Sequence, residues 1–274
     1  MTGSLEGWSV LVTGGGTGIG RACAARLAAD GAAVTICGRT EERLKDAAMR
    51  IDAGSGGPPV RYEVADVTAE DDVRAVMAVA AAATGRLKGV VANAGGGGGL
   101  GPYHRQDLAE FRRVLELNVI GTMLCVKHSV PFLVAAGGGS FVGMSSIAGS
   151  VTHLVFGAYP VAKAGIEHMM RNAADEYGAA QVRFNAIEPG FTSTEIMEGI
   201  PRDSSVYASY IDNTPLGGVA EPEDVAEAVR FLIGPESRFI TGQVLTVDGG
   251  HHLRTGPDFR PFTGLTADQL LARE

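Results

Sequence analysis

Short apolar runs alternate with longer helical patterns along almost the whole chain, and this alternation restricts the fold more than any other feature. Trp8–Thr13, Ala33–Gly38, Val60–Asp66, Gly89–Ala94, Ser140–Ser145, Gln181–Ile187 and Gln243–Val247 read as strands. Helices are expected over Gly18–Asp30 (ended by Gly31), after Thr40, from about Ala69 to Thr84, from Asp107 towards Val134, and over Ala158–Tyr177 and Pro222–Leu232. Proline at the first turn suits that last helix. The strands are largely apolar throughout, as in a sheet covered on both faces. Strict strand–helix–strand order implies parallel strands with right-handed crossovers. The expected fold is therefore one α/β domain over residues 1–274. It is a Rossmann-type doubly wound parallel sheet of about seven strands with helices on both faces. Its ligand belongs beyond the carboxyl ends of the strands.

Composition excludes several functions. A formal net charge of −8 without a Lys/Arg cluster is unsuited to nucleic acid or anionic membranes. No basic, apolar leader opens the chain, and the Ala-rich run Ala75–Ala83 is too short to span a bilayer. Cys23, Cys37 and Cys125 lie in apolar stretches without a CxxC spacing, which suggests buried thiols and a cytoplasmic setting. The histidines form no HxH or HExxH spacing, and His251-His252 should point to opposite sides of an extended chain. No metal is expected. Two segments break the alternation. Residues 191–215 are apolar enough to form a substrate lid. Residues 251–274 form a tail, either disordered or docked on a neighbouring subunit.

Thr13-Gly14-Gly15-Gly16-Thr17-Gly18-Ile19-Gly20 falls between the first strand and the first helix. Glycine there permits positive φ and close approach of a pyrophosphate, and the helix N-terminus supplies free N–H groups. The second strand ends at Gly38, followed by Arg39, where a carboxylate would bind a ribose 2′-hydroxyl. A guanidinium instead suits a 2′-phosphate, so NADP(H) is favoured and NAD(H) is the alternative. Glu41 and Glu42 are positioned to pair with Arg39 and blunt that preference.

Tyr159 and Lys163 share one helix face. An ammonium beside a phenol is expected to pull its pKa down towards neutrality, making it an acid/base. Ser145 and Ser146 end the fifth strand, and Asn118 lies in the long helix before it.

These residues together resemble the classical short-chain dehydrogenases/reductases, from about Ser9 to Gly250. The resemblance rests on Thr13–Gly20, Asp66-Val67, Asn93-Ala94-Gly95, Asn118, Ser146, Tyr159 with Lys163, Pro189-Gly190 and Asp248-Gly249-Gly250. It implies that Tyr159 is the general acid/base and that Lys163 tunes it and holds the nicotinamide ribose. It further implies that Ser146 orients the carbonyl and Asn118 supports a proton relay. Asp66 and Val67 would face the adenine, and Asn93, Ala94 and Gly95 would shape the groove. Pro189, Gly190, Thr192 and Thr194 would contact the nicotinamide end. The implied activity is hydride transfer between nicotinamide and a ketone/secondary alcohol, in a homotetramer or dimer.

The pattern is similar to 3-oxoacyl carrier-protein reductases, and the apolar lid suits a hydrophobic 3-oxoacyl or cyclic ketone. A nucleotide-sensing protein without activity is the competing reading, and the Tyr159/Lys163 pair argues against it. Extended-type epimerases carry a differently spaced glycine motif. Two departures from the family stand out. Pro160 follows Tyr159 where a small residue is usual. Gly95–Gly99 is an unusually long glycine run, suggesting a mobile loop or room for a bulky ligand.

Overall fold

The computed structural model describes residues 5–257, 259–264, 266 and 269. Its strands are β1 (Ser9–Thr13), β2 (Ala33–Gly38), β3 (Arg61–Val64), β4 (Leu87–Ala92), β5 (Gly139–Met144), β6 (Val182–Pro189) and β7 (Val244–Val247). All pair in parallel, in the order β3-β2-β1-β4-β5-β6-β7. The chain therefore winds outward from β1 to β3, crosses back to β4, and winds the other way. The crevice above β1 and β4 is the switch point where such sheets bind ligands.

The five central strands are covered on both faces, while the edge strands β3 and β7 are partly exposed; side chains alternate between the two faces. Val10, Val12, Val34 and Ile36 pack under α1 (Gly18–Ala29), α2 (Glu41–Ser55) and α8 (Pro222–Ile233). Leu11, Val90, Phe141 and Phe184 pack under α3 (Glu70–Ala82), α5 (Gly121–Ala135) and α6 (Ala158–Tyr177). The Phe141 and Phe184 rings stack at 5.3 Å between β5 and β6. All three cysteines are buried free thiols, and burial pushes Cys23 and Cys125 up to about 12.

The long helix expected after Asp107 forms, but in three parts. Asp107 caps α4 (Leu108–Leu115) by accepting the Glu110 N–H at 2.8 Å. A wide π turn over Glu116–Ile120 then leads into α5. The whole stretch Leu108–Ala135 is long and apolar enough to cross a membrane. One face of it packs into the domain through Val114, Asn118, Leu124, Cys125 and Leu133, while Leu108, Met123 and Val134 are exposed.

The lid and the tail differ from expectation. Residues 191–215 contain their own helix, α7 (Ser205–Asp212), capped by the Ser204 hydroxyl accepting the Tyr207 N–H at 3.1 Å. The described part of the tail is ordered against its own subunit, through a turn at His251–Leu253 and the short α9 (Arg260–Thr263). Phe259 is 4% exposed, in one cluster with Ile147, Phe191, Val206 and Tyr210. Arg254 donates to the Asp212 carbonyl at 2.6 Å, and Thr255 bonds Asn213 at 3.2 Å, fastening the tail to the end of α7. His251 and His252 do not lie on an extended strand, because Gly249 (φ 63°) and Gly250 (φ 90°) reverse the chain before them. His251 is buried, while His252 lies 3.0 Å from the Asp248 carboxylate.

Candidate active site

The switch-point crevice opens into a cavity of about 560 Å³. Every site residue singled out in the sequence lines it except Gly16 and Asn118. Gly16 instead faces the Arg43 backbone of α2.

At one end lies the glycine loop. Gly14 (φ 65°) and Gly18 (φ 48°) adopt left-handed backbone, which a Cβ would strain. Gly20 admits no side chain, since an added Cβ would run into the Gly14 carbonyl and come within 2.5 Å of Asn93 Nδ2. Thr17 caps α1 by position only, without a side-chain hydrogen bond, so the first-turn N–H groups remain available to an anion. Thr13, not assigned a role from sequence, fixes the neighbouring strand ends. Its hydroxyl accepts both the Asn93 and the Ala94 N–H at 3.0 Å. Asn93 in turn donates to the Thr13 carbonyl at 3.0 Å. Residues after β6 reach this helix start: Arg21 of α1 and Glu195 lie 3.3 Å apart.

Arg39 and Asp66 line the cavity near one another. Burial works against ionisation of Asp66. The Thr68 N–H (2.9 Å) and hydroxyl (2.8 Å), together with the Arg39 charge, outweigh it and hold the carboxyl below its ordinary pKa. The expected pairing of Arg39 with Glu41 or Glu42 does not occur. Among the described residues Arg39 makes no salt bridge, because both glutamates belong to the first turn of α2 while Arg39 faces the cavity.

Tyr159 and Lys163 stand on the first turns of α6 at the other end. Pro160 is accommodated there because helix-start N–H groups lack intrahelical acceptors in any case. Lys163 is buried, its Nζ 5.3 Å from the Tyr159 ring centre, and donates to the Met144 carbonyl at 2.8 Å. Burial lowers its pKa to about 8. The expected depression of the Tyr159 pKa is not found. Burial raises the phenol above its ordinary value, and a hydrogen bond with Ser146 opposes this only in part. The physical reason is placement: the ammonium sits by the ring and on a carbonyl, not on the phenol oxygen. Ser146 lies two residues beyond β5 and caps the turn Ile147–Gly149 by accepting the Ala148 N–H at 3.2 Å, which orients its hydroxyl.

Asn118 sits in the π turn, fully buried. Its amide donates to the Val114 (2.8 Å) and Gly96 (2.9 Å) carbonyls and accepts the Gly96 N–H at 3.3 Å. Arg113 donates to the Gly97 carbonyl at 3.0 Å. Gly96 and Gly97 of the glycine run are thereby tied to the helix, and at Gly95 and Gly98 the missing side chain permits close approach. A Cβ on Gly95 would lie 2.6 Å from Asn118 Oδ1 and 3.3 Å from Lys163 Nζ. Glycine at 95 is therefore a close-approach residue, set against Asn118 and Lys163.

Beside Tyr159 the cavity wall is an aromatic chamber. His153, Phe156, Tyr210 and Phe259 wall it, with Met197 and Ile200 from the lid. Of these, sequence reasoning singled out only lid residues. The tail carries no periodic apolar pattern, so nothing local marks Phe259 as a wall.

The family model described as "Enoyl-(Acyl carrier protein) reductase" matches residues 14–252. The chain is 43% identical to cis-4-hydroxycyclohexanecarboxylate dehydrogenase of Sinomonas cyclohexanicum, over 88% of this chain and 95% of that protein. It is 34% identical to 2,5-dichloro-2,5-cyclohexadiene-1,4-diol dehydrogenase of Sphingobium indicum, over 90% and 97%. A short-chain type dehydrogenase/reductase from Mycobacterium ulcerans superposes with a TM-score of 0.95 at 44% identity, covering 99% of this chain and 100% of that one. The chain belongs to the short-chain dehydrogenase/reductase family. It is an NAD(P)-dependent oxidoreductase acting on a ketone/secondary alcohol pair.

Proposed function

We propose that this enzyme interconverts cyclic secondary alcohols and their ketones, with NADP(H) as the preferred cofactor. One observation carries the reading: the Ser146/Tyr159/Lys163 cluster opens onto a chamber walled by aromatic rings, in the same cavity as the glycine cradle. Two of the relatives act, by name, on six-membered rings. The cradle fits a dinucleotide because Gly14 and Gly18 take the left-handed backbone its tight turn needs and the start of α1 has no side-chain cap. The loop and α1 would hold the pyrophosphate, and Asp66 and Val67 the adenine. Asn93, Ala94 and Gly95 would form the groove, with Pro189, Gly190, Thr192 and Thr194 at the nicotinamide end. Bound there, the cofactor supplies the hydride donor or acceptor.

The chain's own residues then handle the oxygen. Ser146 donates a hydrogen bond to the carbonyl and orients it. Tyr159 gives the proton in reduction and removes it in oxidation. Lys163 holds the ribose and, still largely protonated at neutral pH, offsets developing phenolate charge. Asn118 holds the loop at Gly96 beside Lys163 and would support a proton relay from Lys163. Exposed Phe239, Leu216 and Leu253 support a homo-oligomer.

Initial rates with cyclohexanols and with a linear 3-oxoacyl thioester test the substrate class. Faster turnover of the rings is expected, and preference for the thioester would overturn the reading. Among the described residues that line the cavity, Arg39 is the cation near Asp66 and makes no salt bridge, so Arg39→Ala should weaken NADPH binding by about tenfold, or roughly 1.4 kcal/mol. NADH binding should change little. Equal losses for both in a fluorescence titration would refute the 2′-phosphate contact.

A further inference from the structure

The aromatic chamber contains two polar side chains that the chemistry leaves unused, Tyr210 and His153, and only His153 can present a nitrogen acceptor. Its ring stacks on Phe156 (5.5 Å, 24°) and on Phe259 (6.4 Å, 30°), and tilts against Tyr210 (6.4 Å, 49°). Phe156 packs in turn on Tyr159 at 5.1 Å, so a single ring separates His153 from the catalytic phenol. The tail closes the outer edge: a Cβ at Gly256 would run into the Thr152 carbonyl and lie 3.1 Å from His153 Nδ1.

The hydrogen-bonding character of this imidazole follows from its partners. Nδ1 lies 2.7 Å from the Val151 carbonyl, which only accepts, so Nδ1 carries the proton and donates. Burial, with His251 acting in the same direction, lowers the His153 pKa to about 4, and the ring is neutral at physiological pH. Nε2 is then a bare acceptor. It has no hydrogen-bond partner among the described residues, while the residue lines the cavity.

Charge completes the picture. Among the described residues that line the cavity, only Arg39 and Lys163 are cationic. Arg39 is near Asp66, and Lys163 is held on the Met144 carbonyl beside Tyr159. A carboxylate in the aromatic chamber would lose its hydration without gaining a counter-ion. A hydroxyl there would find an acceptor.

We propose that His153 is a specificity-determining residue that accepts a hydrogen bond from a hydroxyl remote from the reacting carbon, selecting uncharged cyclic diols and hydroxyketones over ring carboxylates. The inference rests on the cyclic-alcohol reading above and narrows it. It sets this enzyme apart from the relative named for a hydroxycyclohexanecarboxylate and beside the one named for a cyclohexadiene diol.

The test measures kcat/KM of the intact enzyme, with saturating oxidised cofactor, on cyclohexanol, cyclohexane-1,4-diol and 4-hydroxycyclohexanecarboxylate, both ring isomers of the last two. The diol is expected to exceed cyclohexanol by about tenfold and the carboxylate by more. His153→Phe keeps a stacking ring and removes the acceptor. It should lower kcat/KM for the diol about tenfold more than for cyclohexanol, mainly through KM. His153→Gln restores an acceptor and should recover part of the diol preference. Wild-type turnover of the carboxylate as fast as the diol overturns the inference without any variant, as does a wild-type diol rate no better than cyclohexanol. Either result leaves the cyclic-alcohol reading standing. Absence of turnover on all three rings overturns both.

Discussion

Replacing Tyr159 with phenylalanine should lower kcat by about 10²–10⁴, the range general acid–base catalysis supplies, while cofactor affinity stays near the wild-type value. The ring would still fill its place against Phe156 and Lys163, because the substitution removes one oxygen and leaves the packing intact. The hydroxyl lost is the one that meets Ser146, so proton exchange with the substrate oxygen loses its donor and acceptor. Burial raises the phenol pKa and depresses that of Lys163, so in the absence of ligand the site favours neutral tyrosine. That state suits proton donation, hence ketone reduction. Oxidation needs phenolate, and its rate should rise with pH in the wild type. The check is steady-state kinetics in both directions, with cofactor binding measured separately by fluorescence. Turnover within tenfold of wild type would remove Tyr159 from the chemistry. A parallel collapse of cofactor binding would make it a structural residue instead.

The sheet was legible because its physics is local. β1 and most of β2 are buried, and continuous short apolar runs bounded by glycine are what such strands look like in sequence. The Tyr159/Lys163 pair was legible because helical spacing alone puts both on one face. Features set by long-range contacts were not. The π turn at Glu116–Ile120 adds one residue to a helical repeat and leaves no compositional mark, yet it places Asn118 against Gly96. The tail docks because Phe259 finds Phe156 (4.5 Å, 13°), a residue about a hundred positions earlier. Arg39 escapes Glu41 and Glu42 because adjacency in sequence does not decide which way a side chain leaves a strand end. The orientation of Lys163 towards Met144 likewise depends on where β5 ends, which spacing within α6 cannot reveal.

Glu167→Gln should stabilise the protein at pH 8 and leave it nearly unchanged at pH 5. Glu167 lies one turn beyond Lys163, 6% exposed, and faces Glu188, 3% exposed, at the end of β6. Its Oε1 accepts the Ser145 hydroxyl at 2.7 Å, and Glu188 Oε2 accepts that of Thr246 at 2.8 Å. With both carboxyls ionised, Glu188 Oε1 is buried without a donor. A proton on Glu167 supplies one. Burial and the neighbouring carboxylate accordingly raise the Glu167 pKa from 4.5 to about 7, with Arg171, 3.8 Å away, opposing weakly. A raised pKa means that the folded state holds a proton the unfolded chain releases between about pH 4.5 and 7. Stability from this site is therefore full below that window and falls as pH rises through it, by about 3 kcal/mol at most. Glutamine cannot ionise, and its amide both donates to Glu188 and accepts from Ser145. At a few degrees per kcal/mol for a chain of this size, the variant should melt several degrees above wild type at pH 8. Paired melts at the two pH values read only the difference between the proteins, so other titrating groups cancel. An equal difference at both would mean that no proton is shared. A lower melting temperature for the variant at pH 8 would mean that the Glu167 carboxylate, paired with Arg171, is the stable form beside Ser145.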